Sequence, residues 1–204
     1  MNYGRRSNRL NVVVALLFVC SVCATCLAQE EPKARKPIDI QNLFSASGWM
    51  GDGTLGRKYI AFDGANETDP HSKPSCIKIN YTFSPDPGWA GIYWQNKPDN
   101  WGKLPGNSYS AKKLARVTFW VKGTTGKEVV EFKSGCVEDG KLKYHDSFCQ
   151  TTGRIALSTK WEQRTIDLEG ADLSSVIGGF CWVASKDFNK AKAITFYLDD
   201  IQLE

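Results

Sequence analysis

The chain is poor in the residues that most chemistry needs. It has only two histidines, His71 and His145, and two methionines in 204 residues. No G-x-S-x-G nucleophile elbow is present, and neither histidine sits in a metal-ligand spacing such as H-x-x-x-H. His145-Asp146-Ser147 contains the residue types of a hydrolytic triad, but adjacent in sequence they cannot adopt its geometry. No apolar run reaches the about 20 residues that span a bilayer. Internal repeats, coiled-coil heptads and a second linker are also missing.

Charge is scarce once the chain is divided. The whole sequence has 26 Lys and Arg against 22 Asp and Glu, a net +4. Its first ten residues carry Arg5, Arg6 and Arg9 and no acid, followed by the apolar run Val12–Val22 and the small-residue stretch Cys26-Leu27-Ala28. That order reads as a signal peptide over residues 1–28, cleaved after Ala28. Two other readings stand beside it: an uncleaved anchor, and a lipid-modified cysteine, for which Val22 before Cys23 and Thr25 before Cys26 are poor matches. Without the leader, 23 bases face 22 acids, and no basic field for nucleic acid remains. The expected product is exported to periplasm, extracellular space or cell surface, has no membrane span after cleavage, and acts as a monomer.

Residues 29–44, opening QEEPKARKP, read as a disordered lead-in, and 45–204 as one domain. Four cysteines fall after the leader: Cys76, Cys136, Cys149 and Cys181, which allow three full pairings. Cys136 and Cys149 flank a polar, glycine-containing stretch and are the favoured disulfide; Cys181, in the apolar run GFCWVA, reads equally well as a buried free thiol.

What the domain does have is short β-type runs bounded by Gly, Pro, Asn and Asp. Ile77–Phe83 alternates apolar and polar, as does Arg116–Lys122. The latter is followed by GTTG and Glu128–Lys133, a hairpin signal. Trp89–Gln95, Arg154–Ser158, Gln163–Leu168, Gly179–Ala184 and Ile194–Leu203 complete the set, with one short helical hint at 171–176. This pattern predicts an all-β, antiparallel β-sandwich. The last run keeps phase through Phe196 and Leu198 and resumes out of phase at Ile201 and Leu203, which predicts a bulge at Asp199-Asp200.

Parity selects the candidate binding residues. In Trp89–Gln95, Ala90, Ile92 and Trp94 form a core set, leaving Trp89, Gly91, Tyr93 and Gln95 facing outward. Trp120 likewise faces away from Val117, Phe119 and Val121, and Trp101 lies in the loop KPDNWGKLPG. Flat rings beside amides suit a sugar, whose C–H face stacks while its hydroxyls need donors and acceptors. Trp89, Tyr93, Trp120 and Trp101 are thus candidate stacking residues, with Asn80, Gln95 and Asn100 as hydrogen-bonding neighbours. The bland alternative is that these rings fill a second core layer under loops. Asp200 and Asp52 are candidate oxygen ligands to a calcium ion, or else acids turned to water. Glu131 and Asp167 are the carboxylates to watch for glycoside cleavage.

GWMGDG, HSKPSCIKINY, GWAGIYWQNKPDNWG, LARVTFWVKGTTGKEVVEF, DLSSVIGGFCWV and TFYLDDIQLE together resemble the galactose-binding-domain-like β-jelly-rolls. Among these they look most like the carbohydrate-binding modules of bacterial polysaccharide-degrading enzymes. The resemblance runs from Gly48 to Glu204. It implies two antiparallel sheets, a structural calcium to which Asp200 is the closest match, and a poly- or oligosaccharide partner. No catalytic domain accompanies the module here, and the fold also hosts protein-assembly functions. A non-catalytic saccharide binder is therefore the leading expectation. A surface interaction module is the second and a small jelly-roll hydrolase or lyase the third.

Overall fold

A computed structural model describes residues 1–2 and 36–204, apart from Gly56 and Ala191. All but the first two residues of the expected leader, and the first part of the lead-in, lie outside the described residues. Eleven strands run in order: β1 (Ile38–Asp39), β2 (Ser45–Gly51), β3 (Ile60–Asn66), β4 (Cys76–Tyr81), β5 (Trp89–Gln95), β6 (Arg116–Gly123), β7 (Val129–Gly135), β8 (Cys149–Ala156), β9 (Glu162–Asp167), β10 (Gly178–Ser185) and β11 (Ile194–Leu203). One helical turn, α1 (Ile40–Leu43), separates β1 from β2.

The strands form two sheets. One has the order β3-β4-β11-β6-β9, with β1 added beside the end of β11; the other has the order β2-β5-β10-β7-β8. Every pairing is antiparallel. Alternate residues of each sheet meet in one core. Ile77, Ile79, Val117, Phe119, Val121, Phe196 and Leu198 come from the first sheet. Ile92, Trp94, Val130, Phe132, Phe180 and Trp182 come from the second. Phe119 meets Phe132 at a tilt and Phe180 edge-on across the sandwich, at 4.6 and 5.0 Å, and Phe196 meets Trp182 edge-on at 5.3 Å. Burying one such ring is worth about 1.5–3 kcal/mol, so this interdigitation dominates the cohesion of the domain.

The bulge in β11 is where the phase change placed it. Between Asp199 and Gln202 the strand takes three steps while β6 takes two, from Trp120 to Thr118, and Asp200 adopts φ +47°. The extra residue returns Ile201 and Leu203 to the core.

Three expectations need correction. GTTG does not close a hairpin, because β6 and β7 belong to different sheets. The buried carboxylate of Glu128 accepts from the backbone N–H groups of Thr124, Thr125 and Lys127 and turns the chain from one layer to the other. Residues 171–176 are not helical. They run extended enough to bridge Val176 to Asn107, and the Leu173 carbonyl accepts from Tyr109. The packed domain also begins before residue 45, since Ile38 pairs with Leu203 and Ile40 is fully buried.

Candidate functional site

The strand register sets out the outer face of the five-stranded sheet in transverse rows. Gly48, Tyr93, Cys181 and Lys133 form one row; Met50, Gly91, Val183, Glu131 and Arg154 form the next; Trp89 and Ser185 end the face. The glycines let neighbours lie flat. A Cβ on Gly91 would come within 2.6 Å of the Met50 methyl group and of the Trp182 carbonyl.

The first row is roofed. Tyr93 and Cys181 are buried with Val137 and Ile177, and Trp101, Leu142 and Tyr144 pack over them half-buried. Trp101 meets Tyr93 edge-on at 5.8 Å. Burial pushes both the Tyr93 phenol and the Cys181 thiol upward, so both stay protonated.

Two loops make that roof. The first follows β5. Asn100 donates to the Asn96 side chain and the Leu104 carbonyl, and its own Oδ1 accepts from the Leu104 amide at 2.9 Å. Gln95 is buried too, donating to the Asn100 carbonyl and accepting from the Ser47 hydroxyl. The second loop, between β7 and β8, is closed by the disulfide Cys136–Cys149, the pair favoured from the sequence. Cys76 and Cys181 are buried free thiols. Buried Asp146 ties this loop down, accepting from the amides of Val137, Ile177 and Gly178. Desolvation nonetheless pushes its carboxyl up to about 6, against those hydrogen bonds. The Tyr144 amide donates to the Gly102 carbonyl at 3.1 Å and joins the two loops into one wall.

Beyond the wall the face is open. Met50 and Val183 form a half-buried apolar floor, and Trp89 is 38% exposed at its far end. Along one side, Glu131 is held by Lys133 at 3.4 Å and by the Thr151 hydroxyl at 2.8 Å. Arg154 lies 3.4 Å over the Phe188 ring.

The structure therefore divides the residues picked from the sequence. Trp89 and Trp101 border the open face, with Tyr93 beneath Trp101. Gln95 and Asn100 spend their hydrogen-bonding groups shaping the loop that carries Trp101. Trp120 and Asn80 lie on the other sheet. His71 stacks on Trp120 at 3.8 Å and covers it. Glu131 and Asp167 belong to different sheets and do not face one another. Met50, Val183, Leu142 and Tyr144 were not singled out from the sequence. Parity opposite Gly91 could have found Met50 and Val183, but loop residues carry no such signal.

The residues proposed for calcium do not fit that ion. Asp52 is fully buried and accepts from the Tyr81 and Ser84 hydroxyls and from the Ser84 and Gly88 amides, so both oxygens are filled by donors. Asp200 accepts from the Ser72 hydroxyl at 2.6 Å and bonds the His71 ring at 2.8 Å, while Asp199 accepts from the Ser72 amide. Calcium needs six to eight oxygen ligands. Among the described residues no three His, Cys, Asp or Glu side chains converge to hold a metal.

No protein-family model matches the chain, and no curated protein matches it. Solved structures do. A family 30 carbohydrate-binding module superposes with a TM-score of 0.54 at 17% identity, covering 83% of this chain and 99% of the module. A family 11 carbohydrate-binding module from Clostridium thermocellum, in complex with a β-1,3-1,4-mixed-linked tetrasaccharide, superposes with a TM-score of 0.53 at 15% identity, covering 82% and 94%. At such identities the likeness is one of fold. The chain has the antiparallel β-jelly-roll fold of these carbohydrate-binding modules, as its sequence motifs implied.

Proposed function

We propose that this is a secreted, non-catalytic carbohydrate-binding protein whose site is the open half of the five-stranded sheet's outer face. The observation that carries the reading is the composition of that face. An apolar floor of Met50 and Val183 runs between Trp89 and the aromatic wall of Trp101 and Tyr144, flanked by Glu131, Lys133, Thr151 and Arg154. A pyranose offers an apolar C–H face and a rim of hydroxyls, and this surface offers the complement of both. The fold supports the reading, since the similar modules are carbohydrate-binding and one is in complex with a tetrasaccharide. The leader expected over residues 1–28 from the sequence supports export. Glu131 is paired with a lysine on its own strand, which suits a hydrogen-bonding role better than proton transfer.

The test is affinity electrophoresis against mixed-linked β-glucan, cellulose derivatives and xylan, backed by a glycan array. Trp89→Ala and Trp101→Ala should each weaken binding by roughly 10- to 100-fold, the equivalent of about 1.5–3 kcal/mol for one buried aromatic. No retention by any glycan, or retention unchanged in both folded variants, refutes the proposal. A second reading, an interaction module for a protein at the cell surface, draws support from the roofing of Tyr93 and Trp120. It predicts no glycan retention at all.

A further inference from the structure

The outer face of the other sheet carries a second arrangement that no part of the first site explains. Register places Ala61, Asn80 and Thr195 in one transverse row, and Asp63, Lys78, Tyr197 and Lys122 in the next. The small side chains of the first row leave a trough of about 480 Å³, lined by Asp63, Lys78, Asn80, Thr124, Thr195 and Tyr197 among others. That is within the usual range for small-ligand sites. Tyr197 is half-buried, and Trp161 packs edge-on against its ring at 6.4 Å.

The chemistry of the trough selects its occupant. The Asn80 amide donates to the Thr195 hydroxyl at 2.8 Å, which leaves the Asn80 carbonyl oxygen and the Thr195 hydroxyl proton for a ligand. Charge is balanced along the row. Asp63 lies directly opposite Lys78 across the β3–β4 pair, and buried Lys122 is paired with Asp69 and bonds the Asp69 carbonyl. Lys78 and Lys122 stand 5.8 and 4.9 Å from the Tyr197 ring, so the ring is held in place by its neighbours. A net-charged ligand would meet no net countercharge here. A lipid or a protein partner would find no broad apolar patch. A neutral ring with one apolar face and several hydroxyls meets its needs.

We infer that this trough is a second saccharide site, in which a neutral sugar stacks on Tyr197 and hydrogen-bonds to Asn80, Thr195 and Lys78. The inference rests on the reading that the chain binds saccharides, and it adds that the chain binds them on both outer faces. Two sites back to back would hold two glycan strands at once, and on a polysaccharide the second contact would be made at high effective concentration.

Calorimetric titration of the protein with the mixed-linked tetrasaccharide, cellotetraose and xylotetraose decides the matter, with amide NMR mapping on the unmutated protein. Expected are two sites per chain, with shift changes around 78–80 and 194–197 as well as around Trp89 and Trp101. Tyr197→Ala should remove one site, Asn80→Ala should weaken the same one by about tenfold, and Trp89→Ala should leave it intact. A single site, lost with Trp89→Ala and untouched by Tyr197→Ala, overturns this inference and keeps the first proposal. A single site lost only with Tyr197→Ala keeps the trough as a saccharide site but overturns both the placement of the first site and binding on two faces. No binding in the panel and no amide shifts overturn both.

Discussion

Replacing Tyr81 with phenylalanine tests how a buried carboxylate is kept in this fold. Asp52 has no accessible surface, and among the described residues no Lys, Arg or His forms an ion pair with it. A carboxylate without compensation would be excluded from such a site. It receives four donors, the shortest being the Tyr81 and Ser84 hydroxyls at 2.5 Å each. Burial pushes its carboxyl up, but the four hydrogen bonds together outweigh burial and hold it below its ordinary value. Tyr81→Phe removes one donor and little volume. A hydrogen bond to a charged group is worth about 1.5–3 kcal/mol. In a domain of this size each kcal/mol lowers Tm by about 2–4 °C, so the variant should melt roughly 3–12 °C lower at pH 7. The sign with pH follows from the lowered carboxyl. Its stabilisation is present above the unfolded value near 3.8 and is lost as pH falls through the folded one, so the gap between variant and parent should narrow in strong acid. The Ser84 and Gly88 amides that Asp52 holds lie just before Trp89, so the variant should also weaken glycan retention. Calorimetric melts at pH 7 and pH 3 measure the effect. A Tm within 1 °C of the parent at pH 7 would refute the reasoning.

Cys136→Ser with Cys149→Ser opens a loop whose ends are 13 residues apart, and loss of that closure should cost about 3 kcal/mol. Denaturant titration checks it, and an unchanged midpoint contradicts it. The Asp146 carboxyl should titrate near pH 6 by carbon-13 NMR. Because this folded value lies above the unfolded one, the group's stabilisation is full below about pH 4 and fades as pH rises through about 6. The loss is on the order of 3 kcal/mol, and Asp146→Asn should abolish this pH dependence. A midpoint below 4 would overturn it. Calcium at millimolar concentration and chelator should give superimposable melts, because four donors fill both Asp52 oxygens and His71 and Ser72 already hold Asp200 Oδ2. A rise of several degrees with calcium would show otherwise.

Alternation made β4, β5 and β11 legible within a residue or two, because each packs one face on the core and leaves the other unlike it. The bulge was legible because a phase slip is visible in the residues themselves. β2 and β3 were not, since SASGWMG and IAFDGAN interrupt any period with glycine and small residues. The β6–β7 connection misled because GTTG specifies a tight reversal but not whether the next strand stays in the same sheet. Glu128 decides that by capping the turn. Parity placed Tyr93 and Trp120 outward, and outward they are. It says nothing of what later covers them: Trp101 and the disulfide loop over one, His71 over the other. Gln95 and Asn100 show the same limit, since an amide that shapes a loop and an amide that meets a sugar look alike in sequence.

The sealed thiol of Cys181 gives the wall a built-in gauge. It lies beside Tyr93 under the roofing loops, fully buried and protonated. A thiol reagent can reach it only when the roof lifts, so its labelling rate in the native protein counts those openings. A glycan wedged against Trp101 and Tyr144 would hold the roof shut and slow the labelling, while Cys76, on the other sheet, would serve as the internal clock against which the slowing is measured.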